Sequence, residues 1–228
     1  MSGKTARNRP APKRPAPKRG RPQKRRLTTM WVLLGVVAVV LAGVVTTIVV
    51  VSGGGSSSSG QSQAPALLAG VDGSATGEPV DGIQCQAGEQ LAYHVHAHLA
   101  VYALDRQKLI PAGIGIAPPR QTQTQSDGTP YVLGGSCIYW LHSHTQDGVI
   151  HIESPTQQTY TLGQYFDIWK EPLGPRQVGP VQGVVYAYVN GQRYGGDPRD
   201  IPLTPHAVIQ LDVGTDTAPQ PFTFPAGE

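Results

Sequence analysis

Sulfur is scarce in this chain. Its 228 residues include two cysteines, Cys85 and Cys137, and two methionines, Met1 and Met30. No methionine follows position 30, so the weak axial ligand of a blue-copper site is missing from the region where the histidines lie. Catalytic signatures are missing too: there is no G-x-S-x-G elbow, no phosphate-binding P-loop and no G-x-G-x-x-G turn before a helix. Acidic side chains are absent before Asp72. Residues 1–26 also lack almost all apolar side chains and repeat a Pro/Ala/Lys/Arg theme, as in Arg9-Pro10-Ala11-Pro12-Lys13-Arg14-Pro15. With no apolar surface to bury, such a segment cannot offset the entropy of ordering itself, and it reads as a disordered basic arm.

The net charge of +3 conceals a strong asymmetry. Eleven of the 18 Lys and Arg fall between Lys4 and Arg26; the other seven share the rest of the chain with all 15 Asp and Glu, so an arm near +11 precedes a remainder near −8. Basic runs neutralise phosphates, which makes a nucleic-acid arm one reading. The next segment favours another. Trp31 to Val51 is 21 residues without a charge, and a helix of that length, at ~1.5 Å per residue, spans the ~30 Å hydrocarbon core of a bilayer. Residues 27–51 are therefore expected to form a single transmembrane helix, with the basic arm cytoplasmic by the positive-inside rule. Each Lys or Arg there is worth ~1 kcal/mol against anionic lipid headgroups. A cleaved signal peptide is the rival reading, but the apolar run exceeds a typical h-region and no small-x-small site follows it closely. No Cys follows it closely either, against a lipoprotein anchor. The expectation is an uncleaved signal anchor in the cell membrane, with the rest of the chain extracytoplasmic. The membrane is then the expected partner and nucleic acid is not; no protein partner can be named.

Ser52 to Gln63 is Gly/Ser-rich and flexible by composition, and residues 52–82 read as a linker. The folded domain is expected over 83–228. It shows short apolar or alternating runs punctuated by Gly, Pro, Asn and Asp: Leu91–Leu104, Leu109–Ile116 as an irregular edge, Val181–Val189 and Ala207–Val213. Gln121 to Pro130 reads as a loop, and Asn190-Gly191 as a type I′ turn into Gln192-Arg193-Tyr194. Helical pattern is confined to Leu162–Lys170, with Thr161 placed to cap it. The expected fold is mainly β, a sandwich or open barrel, with one short helix.

Six of the seven histidines lie in two short stretches. In Tyr93-His94-Val95-His96-Ala97-His98-Leu99 the three histidines share one face of a strand, with neighbours i and i+2 ~6.6 Å apart. The second stretch is a hairpin signal. Asp147-Gly148 suits a two-residue type I′ turn between Ile138–Leu141 and Val149–Ile152. Counting outward pairs His144 with His151 and His142 with Glu153, and gathers His142, His144, His151 and Glu153 on one face. Imidazoles and a carboxylate in that reach suit zinc, copper or iron, with zinc or copper the expected cofactor. Candidate ligands are thus His142, His144, His151, one or more of His94, His96 and His98, and Glu153. The last is either a ligand or the carboxylate that orients an imidazole. His206 stands alone, and Ser143 points away from its histidine neighbours. On the oxidising side of a membrane Cys85 and Cys137 read as a disulfide holding the two histidine stretches together, with copper ligation by one Cys as the alternative.

The motifs H-x-H-x-H-L (His94–Leu99), C-I-Y-W-L-H-S-H (Cys137–His144), G-V-I-H-I-E-S-P (Gly148–Pro155) and L-G-Q-Y-F-D-I-W (Leu162–Trp169) resemble those of a group of uncharacterised bacterial and archaeal proteins with a membrane anchor and a His-rich domain. The resemblance implies one domain from about Tyr93 onward and no particular reaction. An H-x-H plus a third strand histidine is also similar to the zinc site of α-type carbonic anhydrases, whose surrounding motifs are absent. In cupins the Glu follows the H-x-H more closely than Glu153 does here. Three functions stay open: metal handling or sensing, a metalloenzyme with Glu153 as general base, and an envelope interaction module without metal. Unligated, the histidines would titrate between about pH 5 and 8 and act as a pH sensor.

Overall fold

A computed structural model describes residues 64–227. The basic arm 1–26, the uncharged stretch 27–51 and the first part of the linker lie outside the described residues. Among the described residues no helix is long and apolar enough to cross a membrane.

The domain is mainly β, with 40% strand against 7% helix. The strand Tyr93–Ala103 organises it. Its 11 residues alternate, so Ala97, Leu99 and Val101 turn one way into the core while the histidines turn the other. Along one edge it pairs in parallel with Val208–Val213, from Val208↔His98 to Val213↔Ala103. Along the other edge its first half pairs antiparallel with Val149–Ser154 and its last residues with Arg106–Leu109. Val208–Val213 in turn pairs with Val185–Val189, which returns as Gln192–Tyr194 through Asn190-Gly191. Both turn residues have positive φ, 50° and 76°, as a type I′ turn demands. The result is one mixed eight-stranded sheet flanked by four small ribbons.

The helix runs Leu162–Trp169. Thr161 caps it, its hydroxyl accepting from Gln164 N–H while the Gln164 side chain accepts from Thr161 N–H, and Lys170 ends it in a left-handed conformation. Tyr165, Phe166, Ile168 and Trp169 are buried and join Ile150, Ile152, Leu99 and Val101 in one core. Burying side chains of this size contributes roughly 1.5–3 kcal/mol each.

The folded unit starts earlier than composition suggests. Ala66–Leu67 pairs in parallel with Lys108–Leu109, Leu68 is buried, and Trp169 Nε1 donates to Gly70 O at 2.7 Å. Gln121–Thr124, expected in a loop, pairs instead with Pro130–Gly134. Asp127 makes that ribbon possible: its Oδ1 accepts from Thr129 N–H and Oγ1–H, and Gly128 takes φ 86°. The segment after Leu109 is irregular as expected, yet Ile110, Ile114 and Ile116 are buried rather than at an edge. Val181–Val189 is broken: Val181–Gln182 belongs to a three-stranded ribbon, and Val185–Val189 to the main sheet. The break follows Gly183, whose N–H donates to Arg176 O.

Candidate metal centre

A disulfide joins Cys85 to Cys137 across 52 positions, beside the pairing of Cys85–Gln86 with Ile138–Tyr139. It ties the segment before the first histidine strand to the segment before the second. Both cysteines are consumed by it, so no described thiol is left to ligate copper.

The hairpin forms with a register different from the expected one. Leu141 pairs with Ile152 and His142 with His151, leaving six residues, 143–148, in the connection. Gly148 has φ 86°, but Asp147 does not take the positive φ of a type I′ turn. Its carboxylate instead accepts from Thr145 Oγ1–H at 2.5 Å and Val149 N–H at 3.0 Å. The strand after His142 is also drawn elsewhere: Ser143 N–H donates to Ile114 O, Gly113 N–H to Ser143 O, and Val132 N–H to His144 O. The pairing differs from the expected one by two residues. Because side chains alternate with a period of two, every histidine keeps its face while its partner changes.

Val149–Ser154 therefore lies between two histidine strands. His96, His151 and His142 stand in one row across three adjacent strands, and His94 stands opposite Glu153 in the next. Their polar atoms converge. His94 Nε2 is 3.0 Å from His96 Nε2 and 3.1 Å from Glu153 Oε1; His151 Nδ1 is 3.1 Å from His96 Nε2 and 3.2 Å from the same Glu153 oxygen. The ligand atoms of His94, His96, His151 and Glu153 all lie within 4.8 Å of one another. A second set, His142, His144 and His151, meets the same limit, and so does a third, Glu89, His142 and Glu153. Glu89, which sequence reasoning missed, places Oε1 3.3 Å from His144 Nε2. It sits in the loop before the histidine strand, where no periodicity assigns it a face.

Protons on two of these rings are fixed by their partners. A carbonyl only accepts, so His142 Nδ1 donates to Tyr139 O at 2.9 Å and His144 Nδ1 donates to Val132 O at 2.5 Å. A ring so held, when neutral, presents an Nε2 lone pair. A backbone carbonyl behind a ligating imidazole, fixing tautomer and orientation, is the usual support of a metal-bound histidine.

Burial shapes the charges. His142 and Glu153 are almost wholly buried, His96 and His144 nearly so, while His94 stays 38% exposed at the rim. Burial and the neighbouring His151 and His94 push His96 down to about 4, and burial chiefly holds His142 well below the ordinary imidazole range. The Glu153 carboxyl is raised to about 7, by burial first and then by the Glu89 charge, with His94 and His144 opposing. Neutral imidazoles are the form a metal requires.

His98 does not join the cluster. Its Nε2 donates to Asp147 O at 3.0 Å and its ring stacks on Phe222 at 3.5 Å, so it closes the far end of the histidine face. It belongs to none of the metal-capable sets among the described residues. His206 is exposed beside Phe224. Ser143, on the opposite face, shares a 2.7 Å hydrogen bond with Tyr165.

No protein-family model, curated protein or solved structure matches this chain.

Proposed function

We propose that this chain is a single-pass, membrane-anchored protein whose extracytoplasmic β domain binds a transition metal ion, zinc or copper, for metal handling or sensing. One observation carries the metal-binding part: three imidazoles and one carboxylate, from two paired strands, bring their ligand atoms within 4.8 Å of one another. Neutral imidazole and carboxylate donors suit borderline ions such as Zn(II) and Cu(II), and with both cysteines in the disulfide no thiolate draws the site toward softer ions. His94 reaches solvent. A ligand at the rim lets an ion enter and leave, which suits delivery or sensing. Anchoring is supported by the uncharged stretch Trp31–Val51 and the basic residues before it.

The full-length protein in detergent tests both parts. Zinc or Cu(II) should raise its thermal midpoint and a chelator should reverse the rise, by the linkage that stabilises any folded state able to bind a ligand. No shift with either ion would leave an envelope interaction module. The chain should sediment with membranes and resist carbonate extraction, and deletion of residues 1–51 should release it.

A second reading, a metalloenzyme with Glu153 as general base, is favoured by one feature: Glu153 is buried, yet its Oε2 has no hydrogen-bond partner. It requires an open coordination position holding water on the loaded ion.

A further inference from the structure

We infer that the histidine face holds two metal ions, with the Glu153 carboxylate bridging them. This rests on the metal-binding reading and extends it from one ion to a dinuclear centre.

The first ion takes His94 Nε2, His96 Nε2, His151 Nδ1 and Glu153 Oε1, four of whose six separations are 3.0 to 3.2 Å and all of which lie within 4.8 Å. Ligands ~2.0–2.1 Å from a tetrahedral ion are ~3.3–3.4 Å from one another, and those four separations are within a few tenths of an ångström of that. That set leaves His142 and His144 unused. Both Nδ1 atoms donate to backbone carbonyls, which aims the two Nε2 atoms at each other across 3.1 Å. The rings are 0% and 4% exposed, and water does not separate them. Two neutral imidazoles so placed repel unless a proton or a metal ion lies between them, and their separation is close to that of two imidazoles on one tetrahedral ion.

Two carboxylates complete this second site. Glu89 Oε1 lies 3.3 Å from His144 Nε2 and, being 36% exposed, gives the second ion a rim ligand as His94 gives the first. Glu153 Oε2 is buried without a hydrogen-bond partner and lies 3.9 Å from His142 Nε2, while its sibling Oε1 belongs to the first set. A buried carboxylate with one oxygen on each side is the arrangement that holds two ions ~3.5–4 Å apart in two-metal sites. His151, ring neighbour of His96 on one side and of His142 and His144 on the other, stands between the two. The ions it would take are first-row divalent ions of nitrogen and oxygen preference, Zn(II) or Cu(II).

Metal content of the full-length protein, dialysed against zinc and then against metal-free buffer, tests the inference. Two equivalents are expected in the wild type, and about one in each of two double variants, His94→Gln/His96→Gln and His142→Gln/His144→Gln. One equivalent in the wild type, lost in both variants, would overturn the dinuclear centre and leave the single-ion reading standing. No retained zinc, with none taken up from Cu(II), would overturn both. Where a double variant fails to fold, Glu153→Gln, nearly isosteric, answers in its place. In Cu(II)-loaded wild type, electron paramagnetic resonance should count fewer spins than total copper, because bridged ions couple. Glu153→Gln should bring the two counts together. Equal counts in the wild type would contradict the bridge.

Discussion

Burial keeps His96, His98 and His142 neutral, and this has a thermodynamic consequence. His96 and His98 are pushed down to about 4, His98 by burial against a smaller opposing pull from Asp147, and His142 lies well below 6.5. Above about pH 6.5 these rings are neutral in the folded and unfolded chains alike. Below it the unfolded chain takes up protons that the folded chain refuses, so stability falls as pH falls from about 6.5 toward 4. Glu153 has the opposite sign. Its folded value of about 7 exceeds the ordinary 4.5, so its stabilising share is complete below 4.5 and is lost as pH rises through 7. Three imidazoles outweigh one carboxyl. The metal-free protein should therefore melt at a lower temperature near pH 5 than near pH 7, read by circular dichroism in chelator. An equal or higher midpoint near pH 5 would contradict the assignment. His98 separates stability from binding. His98→Ala removes the Phe222 stack and the bond to Asp147 O, which should cost about 1–3 kcal/mol by denaturant melts. The amount of metal bound should not change.

Strand pairing explains which features were legible in the sequence. Alternation in His94-Val95-His96-Ala97-His98 placed the histidines on one face, and the structure keeps them there. Asp147-Gly148 marked a reversal, but the turn type depended on where the Asp147 carboxylate turns, and that is decided by Thr145 and Val149 together with the segments around Ile114 and Val132. Those contacts are long-range, and no local pattern encodes them. The same reason hid Glu89, an exposed loop acid among many, and the departure of His98 toward Phe222, more than a hundred residues away. The Thr161 cap and the Asn190-Gly191 turn were legible because each is complete within a few residues. Gly148 is the element's sensitive point. A Cβ there would sit 2.2 Å from Leu99 O, and the backbone is already at φ 86°. Gly148→Ala should destabilise the domain by at least about 1–3 kcal/mol. It should also displace His151 and Glu153, so that bound metal is lost along with stability. A variant of wild-type stability and metal content would contradict the described packing.

At the scale of the whole molecule, residues just after the Gly/Ser-rich stretch belong to the fold. Ala66–Leu67 extends the main sheet, and Gly70 O accepts from the buried Trp169 ring. A soluble chain beginning at residue 83 should thus be less stable than one beginning at 64. The loss of Leu68 alone should cost roughly 1.5–3 kcal/mol, and equal urea midpoints would contradict this. The domain's central feature is a sheet face on which one strand and a hairpin gather five imidazoles and a carboxylate over a core closed by one helix and one disulfide. X-ray absorption at the zinc edge of the loaded full-length protein tests most directly whether that face is what holds the metal. A first shell of nitrogen and oxygen at ~2.0–2.1 Å, with the multiple scattering of several imidazoles, is the predicted result. Sulfur at ~2.3 Å, or a shell of oxygen without imidazole scattering, would contradict it.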